Sequence, residues 1–224
     1  MGVPWRFRRN SPKGYEPRRE FTQPTEPEPP LYRSPALKAL VSRLPEDAAY
    51  SILDLGAASG ANIEFFSRFR CRLQIADLPD VLASGELRPS LETDPAAAFR
   101  RLLPVGREPF DVVLAWDVFN YLSRDQLRCL ASELALLSHP GALMLAYIST
   151  AKEIPQEAGD FQIVDDKTVL WRLRTQGKRP SPRFAPADVE RLVSGFAVVH
   201  SVLMRHGIRE YLFERRSDPV SAPR

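Results

Sequence analysis

The chain is poor in cysteine: of 224 residues only Cys71 and Cys129 carry a thiol. Two isolated thiols do not make a disulfide framework, so a reducing, cytoplasmic location is expected. Long apolar runs are missing as well. The longest, near Val112–Ala115 and Ala142–Ile148, fall far short of a membrane span. The first residues lack the apolar centre of a secretory signal. Arg6 stands where a myristoylation signal needs Ser or Thr. No membrane association is expected, and no metal is implied.

What is present reads as a soluble globular protein, with 44% hydrophobic and 26% charged residues. The length suits one sizeable α/β domain with a small addition, but not two full domains. Net charge is +3, and its distribution is uneven. Residues 1–19 hold six basic side chains against one acidic. Residues 1–30 contain seven prolines and no apolar periodicity, so they are expected to be a disordered basic tail. Within it, Trp5-Arg-Phe-Arg-Arg9 mixes aromatics with cations, as in segments that contact RNA or an acidic protein surface. An incidental basic tail is the alternative. The ordered domain is expected over 31–216, and 217–224 form a second tail.

Ser34-Pro35 is a helix-start signal, followed by one apolar stripe of Leu37, Leu40, Val41 and Leu44. Tyr50–Leu55 reads as a strand, Ala57–Gly60 as a small-residue turn, and Ile63, Phe66 and Phe69 as the face of a helix. Arg72–Ala76 is a second strand, ending at Asp77-Leu-Pro79. Pro95–Leu103 looks helical, and a short edge strand is expected near Leu87–Glu92. Phe110–Trp116 is a buried strand, and Ser123 with Gln126 forms a capping box before the next helix. His139-Pro-Gly141 stops that helix, and Ala142–Ile148 is the strand after it. Pro186 opens a further helix, and Phe196–Met204 with Ile208–Glu214 reads as a hairpin. Alternating strands and helices imply a doubly wound, mostly parallel sheet, to which the hairpin adds an antiparallel C-terminal strand.

Gly56 and Gly60 leave no Cβ at the turn after the first strand, so a ligand can approach the main chain there. Asp77 follows Gly56 by 21 residues at the end of the second strand, where an acid can accept hydrogen bonds from ribose hydroxyls. A phosphate-cradling Gly-x-x-x-x-Gly-Lys-Ser/Thr loop is absent. A nicotinamide oxidoreductase is disfavoured, because Asn62 stands where a third glycine would be and no Tyr-x-x-x-Lys pair occurs. The combination instead resembles the class I S-adenosylmethionine-dependent methyltransferases. Ile52-Leu-Asp-Leu-Gly-Ala-Ala-Ser-Gly60 is similar to their first motif and Asp77 to their ribose-binding acid. Phe110-Asp-Val-Val-Leu-Ala-Trp-Asp-Val-Phe-Asn-Tyr-Leu122 resembles their fourth-strand motif, and His139-Pro-Gly-Ala-Leu-Met-Leu-Ala146 the turn and strand that follow.

The resemblance implies a Rossmann-like methyltransferase fold, S-adenosyl-L-methionine as cofactor, and a cofactor site formed by Asp54, Gly56, Ala57, Gly60, Asp77, Leu78 and Trp116. Ala58 replaces the family's middle glycine, and Asp94 is the only guess for an adenine contact. Asp117 and Tyr121 are candidate bases, though either can merely cap the next helix. The Asp/Asn-Pro-Pro-Tyr/Phe and Pro-Cys motifs of DNA-base methylation are missing, so a small-molecule acceptor is expected and DNA is not. Residues 150–185 exceed a simple connection. They are read as a lid insertion in which the run Arg172, Arg174, Lys178, Arg179 and Arg183 gives a cationic lining for an acidic acceptor, or as a solvated surface. A second functional reading stays open: a catalytically inactive methyltransferase-like protein whose tail recruits an RNA or protein partner.

Overall fold

Ile52, Val112, Leu114 and Leu145 fall in one buried cluster, and Leu53, Val113, Ala115 and Met144 in another. This period-two split is what strands covered on both faces produce. The computed structural model describes residues 30–104 and 108–217. The expected tails, 1–30 and 217–224, therefore lie outside the described residues except for Pro30 and Ser217.

In chain order the elements are β1 (Leu31–Arg33), α1 (Pro35–Val41), β2 (Ala49–Asp54), α2 (Gly60–Ser67), β3 (Arg70–Ile75), α3 (Leu78–Ser84), α4 (Arg88–Thr93) and α5 (Pro95–Leu102). Then come β4 (Phe110–Trp116), a 3-10 turn (Val118–Tyr121), α6 (Arg124–Leu136), β5 (Ser138–Ser149), β6 (Glu153–Pro155), β7 (Asp160–Asp165) and β8 (Thr168–Arg172). Last are β9 (Lys178–Pro180), α7 (Pro186–Leu192), β10 (Phe196–Leu203) and β11 (Ile208–Arg215). The central sheet runs β10-β11-β5-β4-β2-β3. β5, β4, β2 and β3 are parallel, while β11 is antiparallel to both β5 and β10. The fold is the doubly wound α/β sheet with a closing antiparallel hairpin that the periodicity implies.

Helices α3 to α7 cover one face of the sheet, through side chains such as Leu91, Phe99, Leu130 and Val189. Helices α1 and α2 cover the other, through Leu37, Leu40 and Phe66. Ser34 caps α1 as its sequence suggests, accepting from the Leu37 amide at 3.1 Å. Its hydroxyl also binds Tyr147 Oη and the buried Glu210 carboxylate, which ties α1 to β5 and β11. Ser123 and Gln126 make the full capping box on α6.

Two expectations are corrected. The stretch 87–92 is not an edge strand; Arg88–Thr93 is the helix α4, with Pro89 in its first turn, where a missing N–H is harmless. The sheet accordingly ends on β3. The strand β5 also starts before Ala142. It pairs with β4 from Ser138, and His139–Ala142 bulges out around Gly141 at φ 87° before pairing resumes at Leu143.

The stretch 150–185 folds into two small sheets. β7 and β8 form a hairpin that takes β1 as its third strand, and β6 pairs with β9. The hairpin packs on the α2 face through Phe161, Ile163 and Val169. Among the described residues no helix is long and apolar enough to cross a membrane.

Candidate functional site

The carboxyl ends of β2, β3 and β4 meet at the glycine turn. β2 ends at Asp54, whose carboxylate is 1% exposed. Its Oδ1 accepts from the Gly56 amide at 2.8 Å and from Trp116 Nε1 at 2.6 Å. Its Oδ2 accepts from Asn62 Nδ2 at 3.3 Å. Burial pushes the Asp54 pKa up to about 6, against the pull of these three donors. Both oxygens are thus engaged within the protein, and Asp54 holds the turn closed from behind.

Trp116 ends β4 with a left-handed backbone, φ 48°. Its indole covers Gly56: a Cβ there would come within 2.6 Å of Trp116 Cδ1. Gly56 therefore has to be glycine because of this ring. The outer side of the turn is different. Ala57 is half-buried, Ala58 and Gly60 are exposed, and a Cβ on Gly60 would meet nothing within 4 Å. Ser59 caps α2, accepting from the Asn62 amide at 3.4 Å.

A stack of rings stands over the inner side. Phe161 of β7 lies on Trp116 with centroids 5.3 Å apart and planes 3° from parallel. Trp171 of β8 stacks on the far side of Phe161 at 6.0 Å and 8°. A Cβ on Gly159 would overlap the Trp171 indole, so a second glycine admits a second tryptophan. Asn62 pins the hairpin: its Nδ2 donates to the Phe161 carbonyl at 3.1 Å and its Oδ1 accepts from the Ile163 amide at 2.8 Å.

Asp77 sits beside the open half of the turn. The Ala76 and Leu78 amides donate to the Asp54 and Leu55 carbonyls, which carries the chain past the end of β3. Asp77 then adopts φ 42° and caps α3 through the Asp80 amide at 3.4 Å. Its side chain is 41% exposed. Leu78 is buried in the core beneath it. Arg174, from the segment after β8, stands across this acid: 3.8 Å from Asp77, 3.7 Å from Asp80, and 2.7 Å from Asp160.

On the other side of β4, Asp117 is buried with Oδ2 accepting from the Gly159 amide at 3.2 Å. Its Oδ1 has no hydrogen-bond partner among the described residues. Burial raises its pKa to about 7, with Asp160 adding to the rise and Arg174 opposing it. Asn120 fixes the turn that follows, donating to the carbonyls of Asp117 and Tyr147 and accepting from the Ser149 amide. Tyr121 donates to the Glu157 carbonyl at 2.8 Å, and burial drives its pKa further up. A cavity of about 600 Å³ opens beyond this turn, bordered by Leu82, Arg88, Asn120, Tyr121, Glu157 and Arg179.

No family model matches the chain, and no curated protein sequence does. Solved structures do. The chain is similar to the PH0226 protein of Pyrococcus horikoshii OT3, with TM-score 0.50 and 13% identity over 81% of this chain and 88% of that one. It is equally similar to an S-adenosylmethionine-dependent methyltransferase of Clostridium acetobutylicum ATCC 824, with TM-score 0.50 and 13% identity over 80% and 88%. The fold is that of the class I methyltransferases.

Against that methyltransferase fold, the structure gathers Asp54, Gly56, Ala57, Gly60, Asp77, Leu78 and Trp116 around the ends of β2, β3 and β4. It divides them into an inner group closed by Trp116 and an outer group, Ala57, Gly60 and Asp77, that faces outward. The outer group is an open glycine turn beside a part-exposed acid. Asp94 instead caps α5 through the Ala97 amide at 3.0 Å. Of the cations expected to line an acceptor pocket, Arg179 borders the cavity, together with Arg88. Arg172, Lys178 and Arg183 are exposed without bordering it, and Arg174 faces three acids. Asn62, Phe161 and Trp171 are the residues the sequence reading missed. Phe161 and Ile163 alternate as in a strand, but nothing in the sequence shows that they meet Asn62 and Trp116.

Proposed function

We propose that this chain is an S-adenosylmethionine-dependent methyltransferase acting on a polar small molecule. The observation that carries it is the outward-facing Asp77 beside the open turn at Ala57–Gly60, next to a 600 Å³ cavity at the same end of the sheet. In open α/β sheets ligands bind at the carboxyl ends of the strands. Asp77 would hold the ribose hydroxyls, and the main chain of Ala57 to Gly60 the amino-acid end. When bound, S-adenosylmethionine supplies an electrophilic methyl group on a sulfonium. The chain's own task is then mostly positioning, which can contribute up to roughly 7–11 kcal/mol. The Trp116–Phe161–Trp171 stack keeps water from the inner wall. Asp117 is the better of the two candidate bases, because its Oδ1 has no hydrogen-bond partner among the described residues. Tyr121 already donates and is held protonated.

The test is S-adenosylhomocysteine formation across a panel of amines, phenols and carboxylic acids. With an acceptor that must lose a proton, Asp117→Asn should lower the rate by roughly 10²–10⁴-fold. Burial keeps Asp117 protonated at low pH, so the wild-type rate should rise as pH climbs through about 7. A pH-independent rate or a fully active Asp117→Asn variant would remove Asp117 from the mechanism. A second reading, a methyltransferase-fold protein that binds without turnover, is favoured by one observation: the Trp116 indole fills the space before Gly56 and both Asp54 oxygens are engaged. Cofactor binding with no product across the panel would favour it.

A further inference from the structure

We infer that Arg174 is a built-in competitor at Asp77 and sets how tightly the cofactor site is occupied. The inference rests on the reading of Asp77 as the ribose-binding acid. Arg174 is only 18% exposed in its side chain and reaches three carboxylates at once. Only its contact with Asp160, Nε to Oδ1 at 2.7 Å, is a hydrogen bond. The distances to Asp77 and Asp80, 3.8 and 3.7 Å, are those of ion pairs without one. The guanidinium is thus anchored to the start of β7 while its remaining donors face the cofactor acid. Arg174 is the only cation paired with Asp77 among the described residues.

A guanidinium carries no acceptor and a fixed fork of donors. Ribose hydroxyls offer the same kind of donor to the same carboxylate, so the two compete for it. The anchor is also informative. Asp160 precedes Phe161, the ring that stacks on Trp116, so Arg174 belongs to the segment that covers the inner half of the turn. One inserted segment therefore closes both halves of the site, the inner by aromatic stacking and the outer by charge. This differs from a lid arginine that grips a ligand, whose removal weakens binding.

The two possibilities separate by sign. The full-length chain and two variants are titrated with S-adenosylhomocysteine by calorimetry. Arg174→Gln keeps a hydrogen-bonding side chain but removes the charge facing Asp77. A half-exposed ion pair is worth little, so the expected gain is about three- to fivefold in affinity. Asp160→Asn loosens the same anchor yet leaves Arg174 charged and freer to approach Asp77, so affinity should stay the same or fall. Weaker or equal binding by Arg174→Gln, with a binding wild-type chain, overturns the competitor role and leaves the cofactor reading intact. Tighter binding by both variants would assign the effect to a loosened hairpin, which also overturns it. No binding by any of the three proteins would remove the cofactor reading itself.

Discussion

Trp116→Ala is expected to cost roughly 3–5 kcal/mol, or about 10 °C in Tm for a domain of this size. The indole is fully buried, stacks on Phe161, meets Tyr147 edge-on at 5.9 Å, and donates to Asp54. Its removal leaves a cavity beside Gly56 that neighbouring backbone cannot fill, because β4 is hydrogen-bonded on both sides. It also strips one donor from a buried carboxylate. Trp116→Phe separates the two effects, since a ring persists while the donor is lost. That variant should lose about 1–2 kcal/mol. Thermal melts of both variants check the size and the order. A Trp116→Ala protein melting within about 3 °C of the wild type would mean that the ring does not support the turn.

Asn62→Ala is the second large effect. The Asn62 side chain is buried and makes three hydrogen bonds, to Asp54 Oδ2, the Phe161 carbonyl and the Ile163 amide. Truncation leaves these partners unsatisfied inside the protein, at about 1–3 kcal/mol for each one that water cannot reach. The loss should be uneven. β2 and α2 keep their own backbone bonds, whereas the β7–β8 hairpin loses its buried polar attachment to α2 and keeps only the exposed Arg68–Asp166 ion pair. Amide exchange over residues 160–172 should therefore rise far more than over β2, β4 and β5. Uniform loss of protection would show that the hairpin and the sheet open together, and that Asn62 is not a local latch.

The sheet was legible because its information is local. Period-two alternation in 52–55 and 110–116, helical spacing after Ser34 and Ser123, and glycine between strand and helix each act over a few residues. The missing edge strand was misread for the same reason. Leu87–Glu92 has no decisive pattern of its own, and Pro89 suits a helix start as well as a break. The candidate site was half legible. Asp77 and the glycine turn stand at a fixed spacing along one βαβ unit, so the sequence placed them. The closure of that site depends on residues about a hundred positions apart, Asn62 with Ile163 and Trp116 with Phe161. Such pairs are set by where an inserted hairpin docks, and no periodicity announces them. The same applies to Arg174. A run of arginines reads as one cationic lining, yet the docked hairpin aims Arg174 at Asp77 and leaves Arg172 and Arg183 exposed.

The most direct test of the central claim is a calorimetric titration of the full-length chain with S-adenosylhomocysteine, alongside Asp77→Ala. Asp77 contributes a helix cap and a half-exposed ion pair to the fold, so its loss should lower stability by only about 1 kcal/mol. Toward ribose hydroxyls it would offer charge-assisted hydrogen bonds, worth roughly 1.5–3 kcal/mol. The expected result is one-site binding by the wild type, weakened about ten- to a hundredfold in a folded Asp77→Ala protein. No binding by the wild type, or equal binding by the variant, would contradict the assignment of this turn and this acid to the cofactor.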